Sequence, residues 1–148
     1  MADEATIKGE GCEITLRVLG FEFPEETTGW DANWLNAVIE IRAGSQGDFR
    51  AAIKVSLRTV ELASFRDQLC VLDEQLNGQA KFSHLEDQLS ITITMVSGKA
   101  QLAWWLREHI GARLSGEDFE TDQSSLRRTL GELDEIVEMF PVRGDPTD

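Results

Sequence analysis

Residues 49–76 read FRAAIKVSLRTVELASFRDQLCVLDEQL, and the spacing of their hydrophobic residues changes at Thr59. Before Thr59, hydrophobic residues occupy every second position, as in a half-buried strand: Phe49, Ala51, Ile53, Val55 and Leu57. After Thr59 they recur at steps of three and four, as on one side of an amphipathic helix: Leu62, Phe65, Leu69, Leu72 and Leu76. Thr59 can cap this helix and Asn77-Gly78 can end it. The stretch predicts a strand that passes directly into a helix.

The same two patterns recur on both sides of this stretch. Alternation predicts strands over residues 12–18 and 35–41 before it, and over residues 89–95, 100–109 and 112–121 after it, with a bulge at Ser115-Gly116. A second helix begins at Ser124 or Ser125 and stops at Pro141; its apolar stripe is Leu126, Leu130, Leu133, Val137 and Phe140.

These elements predict an α+β fold of two layers, in the order βββ-α-βββ-α. We expect an antiparallel sheet of about six strands, with two amphipathic helices that bury their stripes on one of its faces. The length of 148 residues suits one domain, 1–148, in which residues 1–11 and 142–148 are loose tails.

The charge of the chain is strongly negative. The sequence holds 27 Asp and Glu against 14 Lys and Arg, and residues 108–148 alone hold 11 acidic and 4 basic residues. This excess disfavours nucleic acid and anionic membranes as partners, because both carry the same sign of charge. Two interpretations of the acidity stay open: solubility through self-repulsion, or a surface that binds a basic partner protein.

Features of the sequence point to the cytoplasm. Cys12 and Cys70 are too few and too far apart for a disulfide scaffold or a metal knuckle, and both lie on apolar stripes. The acidic N-terminus lacks the basic and apolar regions of a secretory signal, and no apolar run approaches 18 residues. We therefore expect a cytoplasmic protein.

A search for catalytic motifs gives none. His84 and His109 stand alone, without a partner at metal-ligand spacing, and the sequence has no glycine-rich phosphate loop or nucleophile elbow. Its carboxylate pairs are adjacent residues, which point to different sides of a helix or strand. We expect a protein that is not an enzyme and uses no cofactor or metal; a hydrolase with an unrecognised carboxylate site is the remaining enzymatic alternative.

Two pairs of tryptophans are unusual. Trp30-Asp31-Ala32-Asn33-Trp34-Leu35 places two indoles around a short polar turn, which favours a structural corner over an exposed anchor for a partner. Trp104 and Trp105 are neighbours in a predicted strand, so one ring should face the core and the other should face outward. The outward ring is a candidate contact for a partner.

Four short motifs follow one another along the chain in an order that is typical of a known family. The Trp30–Leu35 corner, Thr59-Val60-Glu61-Leu62, Asp122-Gln123-Ser124-Ser125-Leu126 and Phe140-Pro141 together resemble the WapI-type immunity proteins of bacterial polymorphic toxin systems. The likeness covers residues 12–141, with Ser125 where an aromatic residue is expected. The resemblance implies a small cytoplasmic protein that binds and blocks a toxin domain delivered by neighbouring cells, and such families have no catalytic residues to carry over.

The candidate partner-binding site follows from the charge and the tryptophans. Its residues are Glu117, Asp118, Glu120, Glu132, Glu135 and Glu138, with Trp104 and Trp105 as apolar anchors. The hypothesised partner is a cognate toxin protein, such as a basic nuclease, because opposite charges speed association. The alternative is an intracellular interaction module, for example a subunit of a larger assembly. The oligomeric state stays open.

Overall fold

Two four-stranded antiparallel sheets, each followed by a 17-residue helix, form the computed structural model, which describes residues 3–147. The first half consists of β1 Glu4–Gly9, β2 Cys12–Phe21, β3 Trp34–Ala43, β4 Phe49–Arg58 and α1 Thr59–Gln75. The second half consists of β5 Gly78–Ser83, β6 Leu89–Val96, β7 Lys99–Arg107, β8 Arg113–Thr121 and α2 Gln123–Met139. Within each sheet the strands lie side by side in chain order.

The α+β class and both helices are confirmed, but the single six-stranded sheet is wrong. Two strands are added: β1, in residues predicted as a loose tail, and β5, directly after α1. Each is only six residues long and buries two apolar side chains, so its alternation is too short to stand out: Ala5 and Ile7 in β1, Ala80 and Phe82 in β5. The observed order is ββββ-α-ββββ-α.

One face of each sheet contributes to a shared core. In the first sheet the buried residues of neighbouring strands lie opposite each other, as Leu35 does with Leu57. The helices cover this core with Leu62, Phe65, Leu69 and Leu72 from α1 and Leu126, Leu133 and Ile136 from α2. Leu130, Val137 and Phe140, predicted as part of the second stripe, are only partly buried.

Each helix also closes the edge of a sheet. The Thr129 hydroxyl on α2 donates to the Thr6 carbonyl of β1 at 2.7 Å, and the Thr6 amide donates to Glu132 Oε1 at 3.1 Å. On α1, Gln68 Oε1 accepts a hydrogen bond from the Lys81 amide of β5 at 2.9 Å. Side chains of the helices therefore replace the neighbouring strand that β1 and β5 lack.

The tryptophan corner is structural because of Asn33, which is 1% exposed. Its Nδ2 group donates to the carbonyls of Gly29 and Arg143, both at 2.9 Å. Its Oδ1 atom accepts from the Thr59 hydroxyl at 2.6 Å and from the Arg143 amide at 2.8 Å. Asn33 thereby joins the corner to the start of α1 and to the C-terminal segment, whereas Trp30 stays 39% exposed beside Trp34.

Part of the predicted C-terminal tail is fixed by Arg143. Its guanidinium group donates to the carbonyls of Ala32, Pro24 and Phe23 at 3.0, 3.1 and 3.2 Å, and lies 3.5 Å from the centre of the Phe21 ring. The prediction of a loose tail is therefore wrong at Arg143. The tail prediction for residues 1, 2 and 148 lies outside the described residues.

The helix stripes predict a difference between buried and exposed substitutions. Leu69→Ala or Leu133→Ala should lower the free energy of unfolding by about 2–5 kcal/mol, because each leaves a cavity in the core. Asp134→Ala, on the exposed face of α2, should lower it by less than about 0.5 kcal/mol. Urea unfolding measures all three, and equal effects would contradict the assignment of the buried faces.

Asn33→Ala should destabilise the protein by at least about 3 kcal/mol, because it leaves several buried partners without a hydrogen bond and each costs about 1–3 kcal/mol. Asn36→Ala, on the exposed face of β3, is the matched control and should have little effect. Urea unfolding of both variants checks this, and a change under about 1 kcal/mol at Asn33 would show that the corner does not depend on it.

Candidate partner-binding surface

Two carboxylates of β8, Glu117 and Asp118, lie in a bulge of the strand. Trp104 lies opposite Gly116 and Leu102 lies opposite Phe119, so Glu117 and Asp118 together face a single residue of β7. Asp118 adopts a left-handed backbone conformation, with φ of 64°. The bulge lies two residues after the predicted Ser115-Gly116 position, and its two carboxylates are exposed to solvent.

The turn between β1 and β2 adds a carboxylate to this region. The Glu10 amide donates to the Glu120 carbonyl at 2.7 Å, so both residues lie beside the end of β8. They border a cavity of about 340 Å³ that is also lined by Lys8, Asp122 and Ser125. We call Glu10, Glu117, Asp118 and Glu120 the acidic patch. Glu10 was not predicted as part of the binding site, because the segment around it shows no strand pattern in the sequence.

The predicted carboxylates of α2 do not belong to this patch. Glu138 lies 15 residues after the first residue of α2, which corresponds to about 22 Å along the helix axis. Glu132 is half-buried and already accepts the Thr6 amide, so it supports the fold. Glu135 and Glu138 are exposed on the helix. The structure therefore divides the predicted acidic region into two separate parts.

Trp104 belongs to the core. It is 3% exposed, and its ring stacks on Phe119 with a centroid distance of 6.1 Å and an interplanar angle of 14°. Gly116 makes this possible, because a Cβ atom there would lie 2.6 Å from both rings. The predicted role of Trp104 as a contact is wrong, since its indole is covered by the protein itself.

Trp105 is the outward ring that the alternation predicts. It is half-buried on the outer face of the second sheet, and the guanidinium groups of Arg107 and Arg113 lie 5.5 and 5.3 Å from its ring centre. Trp105 and Glu117 line the same cavity of about 430 Å³, together with Lys81, Thr92 and Ser115. The structure thus places one tryptophan next to one residue of the acidic patch, in surroundings of mixed charge.

The two histidines and Cys12 contact neighbouring groups of the protein. His84 is buried between the Ser56 carbonyl, 3.3 Å from Nδ1, and the Gln88 amide, which donates to Nε2 at 2.8 Å. His109 lies 3.6 Å from Glu86, and both side chains are exposed. Burial raises the pKa of the Cys12 thiol, more than the Trp104 side chain and the Gly9 backbone lower it.

Within residues 3–147, no group of three or more His, Cys, Asp and Glu side chains could hold a metal ion. None of the helices in the same range combines the length and the hydropathy that crossing a membrane requires.

A family model described as "Immunity protein WapI-like family" matches residues 6–141 of the chain. The chain belongs to the WapI-like immunity protein family. This confirms the resemblance that its ordered motifs carry, and the match includes the acidic patch and Trp105. Members of such a family are associated with immunity to toxins, so a toxin is the general kind of partner to expect.

Comparison of solved structures supports the fold. A chain in the structure of the plant transcriptional regulator PBF-2 superimposes with a TM-score of 0.55 and 8% sequence identity. The match covers 93% of the WapI-like chain and 81% of the other chain. At this identity the likeness concerns the fold alone. No curated protein matches the sequence.

Two glycine substitutions should have opposite effects on the WapI-like chain. Gly116→Ala should lower the free energy of unfolding by about 1–3 kcal/mol, because its methyl group collides with Trp104 and Phe119. Gly131→Ala, on α2, meets no atom within 4 Å and should raise it by about 0.5–1 kcal/mol through helix propensity. Thermal and urea unfolding measure both, and a neutral Gly116→Ala would contradict the tight packing of Trp104.

Proposed function

We propose that this WapI-like protein is a non-enzymatic cytoplasmic immunity protein, which binds a cognate toxin domain and blocks it. The match of the family model over residues 6–141 carries this proposal. The acidic patch and Trp105 support it, because they combine exposed negative charge with a large, partly exposed ring on one side of the second sheet.

The charge of the patch favours a basic toxin, such as a nuclease. A nuclease binds the phosphates of nucleic acid through positive charge, so a rigid acidic surface can occupy the same region of the toxin and exclude the nucleic acid. Long-range attraction between opposite charges mainly speeds association, and it weakens as salt screens the charges. Charge alone gives little lasting affinity.

Trp105 supplies the apolar contact that a stable complex needs. Tryptophan and arginine are the residues that most often dominate the free energy of binding at protein interfaces. Arg107 and Arg113, which lie opposite each other on β7 and β8, both make cation–π contacts with the Trp105 ring. In the proposed complex the acidic patch sets the rate of association, and Trp105 sets the rate of dissociation.

The test begins with the toxin domain encoded beside this gene. Co-expression with the WapI-like protein should restore growth, and the purified proteins should form a complex. A triple variant combines Glu117→Gln, Asp118→Asn and Glu120→Gln. Its association with the toxin domain should be several-fold slower and should depend less on salt. Trp105→Ala should speed dissociation by about tenfold or more. Stopped-flow and surface plasmon resonance measurements give both rates.

Glu25→Gln with Glu26→Gln is the matched control, because these exposed carboxylates lie in the loop after β2, outside the patch. It should leave both rates unchanged. Glu135→Gln with Glu138→Gln tests the acidic part on α2, and a slower association in that variant alone would move the contact to the helix. Growth that stays inhibited in the presence of the WapI-like protein would contradict the immunity role.

A further inference from the structure

The two sheets have four edge strands, and helix side chains cover two of them, β1 and β5, within residues 3–147. Side chains of α2 bond to the backbone of β1, and Gln68 of α1 bonds to β5. The end of β8 meets the β1–β2 turn through Glu120 and through Thr121, whose hydroxyl donates to the Lys8 carbonyl at 2.6 Å. The rest of the β8 edge is interrupted by the bulge at Glu117 and Asp118. The edge of β4 is regular, and within residues 3–147 protein contacts reach it only near its C-terminal end.

The contact at Ser56 shows which backbone groups of β4 face outward. The Ser56 carbonyl lies 3.3 Å from His84 Nδ1, on the side away from β3. In an antiparallel strand, the N–H and C=O of one residue point to the same side, and alternate residues share that side. The pairing of β4 with β3 has no irregularity, so Arg50, Ala52 and Lys54 also direct their N–H and C=O groups outward.

Nothing in the described part of the chain satisfies these outward groups. No hydrogen bond from residues 3–147 reaches the outward N–H and C=O groups of Arg50, Ala52 and Lys54, and all three residues are exposed. Phe49, at the start of the strand, is 55% exposed. An exposed edge of this length is a ready template for a further strand.

The exposed side chains around this edge carry a small excess of positive charge, although the protein as a whole is acidic. Three of them are basic, and two, Asp48 and Glu40, are acidic; Glu40 lies directly opposite Ala52 on β3. Arg50 and Lys54 project from the outer face of β4, and Arg42 lies directly opposite Arg50 on β3. Asp48 pairs with Arg50 at 2.9 Å, and this hydrogen bond lowers the pKa of Asp48. Arg42 and Lys54 have no ion pair within residues 3–147. Arg42 and Arg50 are like charges on adjacent strands, and the basic side chains outnumber the acidic ones by one, so an added carboxylate beside Arg50 and Lys54 would be attracted here.

We propose that the free edge of β4, from Phe49 to Lys54, binds an extended acidic strand of a partner protein by β-augmentation. The backbone of residues 50, 52 and 54 would supply the hydrogen bonds, and carboxylates of the added strand would lie beside Arg50 and Lys54. A second copy is disfavoured, because pairing along the whole free segment places Arg50 opposite Lys54 of the other copy. The inference does not depend on the immunity role.

The test uses the full chain and a synthetic peptide. An acetylated and amidated heptapeptide, VEVTVEV, places valines on the inner side and glutamates beside Arg50 and Lys54. In ¹⁵N-labelled protein it should shift the amide signals of Arg50, Ala52 and Lys54. The matched peptide VKVTVKV should bind about three- to tenfold more weakly, because its charges repel those of the edge. An acidic peptide that leaves these signals unchanged would overturn the proposal.

Two variants separate backbone pairing from general charge attraction. Ala52→Pro removes an outward N–H but keeps the β3–β4 pairing, so it should weaken binding of the acidic peptide at least tenfold, whereas Ala52→Val should bind normally. Lys54→Glu should reverse the preference between the two peptides. Strand addition would be contradicted if the Ala52→Pro variant, with a normal thermal melt, bound the acidic peptide as tightly as the unmodified protein does. It would also be contradicted if Lys54→Glu left the preference between the two peptides unchanged. Shifts that depend on protein concentration without peptide would assign the edge to a second copy.

Discussion

A buried carboxylate at the start of α1 joins the two halves of this structure. Glu61 is 9% exposed, and it accepts hydrogen bonds from the Arg58 amide at 2.6 Å and from the Leu85 amide at 2.8 Å. The Arg58 guanidinium adds an ion pair at 3.3 Å. A buried charge is tolerated only when such donors replace water. Because Leu85 belongs to the loop between β5 and β6, the carboxylate that caps α1 also fixes the second sheet to the first.

The hydrophobic pattern predicts which side of each element is buried, but not which strands pair. Leu62, Phe65 and Leu69 follow the helical period, and both helices and the six longer strands are therefore predictable. The division into two sheets is not, because an alternating strand fits equally well in one six-stranded sheet or in two smaller ones. The repeated order ββββ-α is likewise invisible in the sequence, since its two copies share a pattern of burial and not of residues.

The candidate site could be predicted only in part, because the hydrophobic pattern shows which side of an element a residue faces but not what it contacts. Alternation shows that Trp104 and Trp105 face opposite sides, but only Gly116 and Phe119, which surround Trp104, show which ring is buried. Glu132 looks like a surface residue of a helix, yet it serves the backbone of Thr6, which lies 126 residues away in the sequence. Hydrogen bonds between a side chain and the backbone of a distant residue produce no periodic pattern, so they cannot be predicted from the sequence.

The two proposed contacts have opposite charge, and this difference bears on specificity. The acidic patch lies on the second sheet, and the basic edge of β4 lies on the first. A partner that used both would need a basic surface and an extended acidic strand at a fixed spacing. A merely basic protein would match the patch alone, and its own positive charges would be repelled by Lys54 and Arg42. Two surfaces of opposite charge on one fold therefore discriminate between partner proteins better than the net charge of −13 alone could.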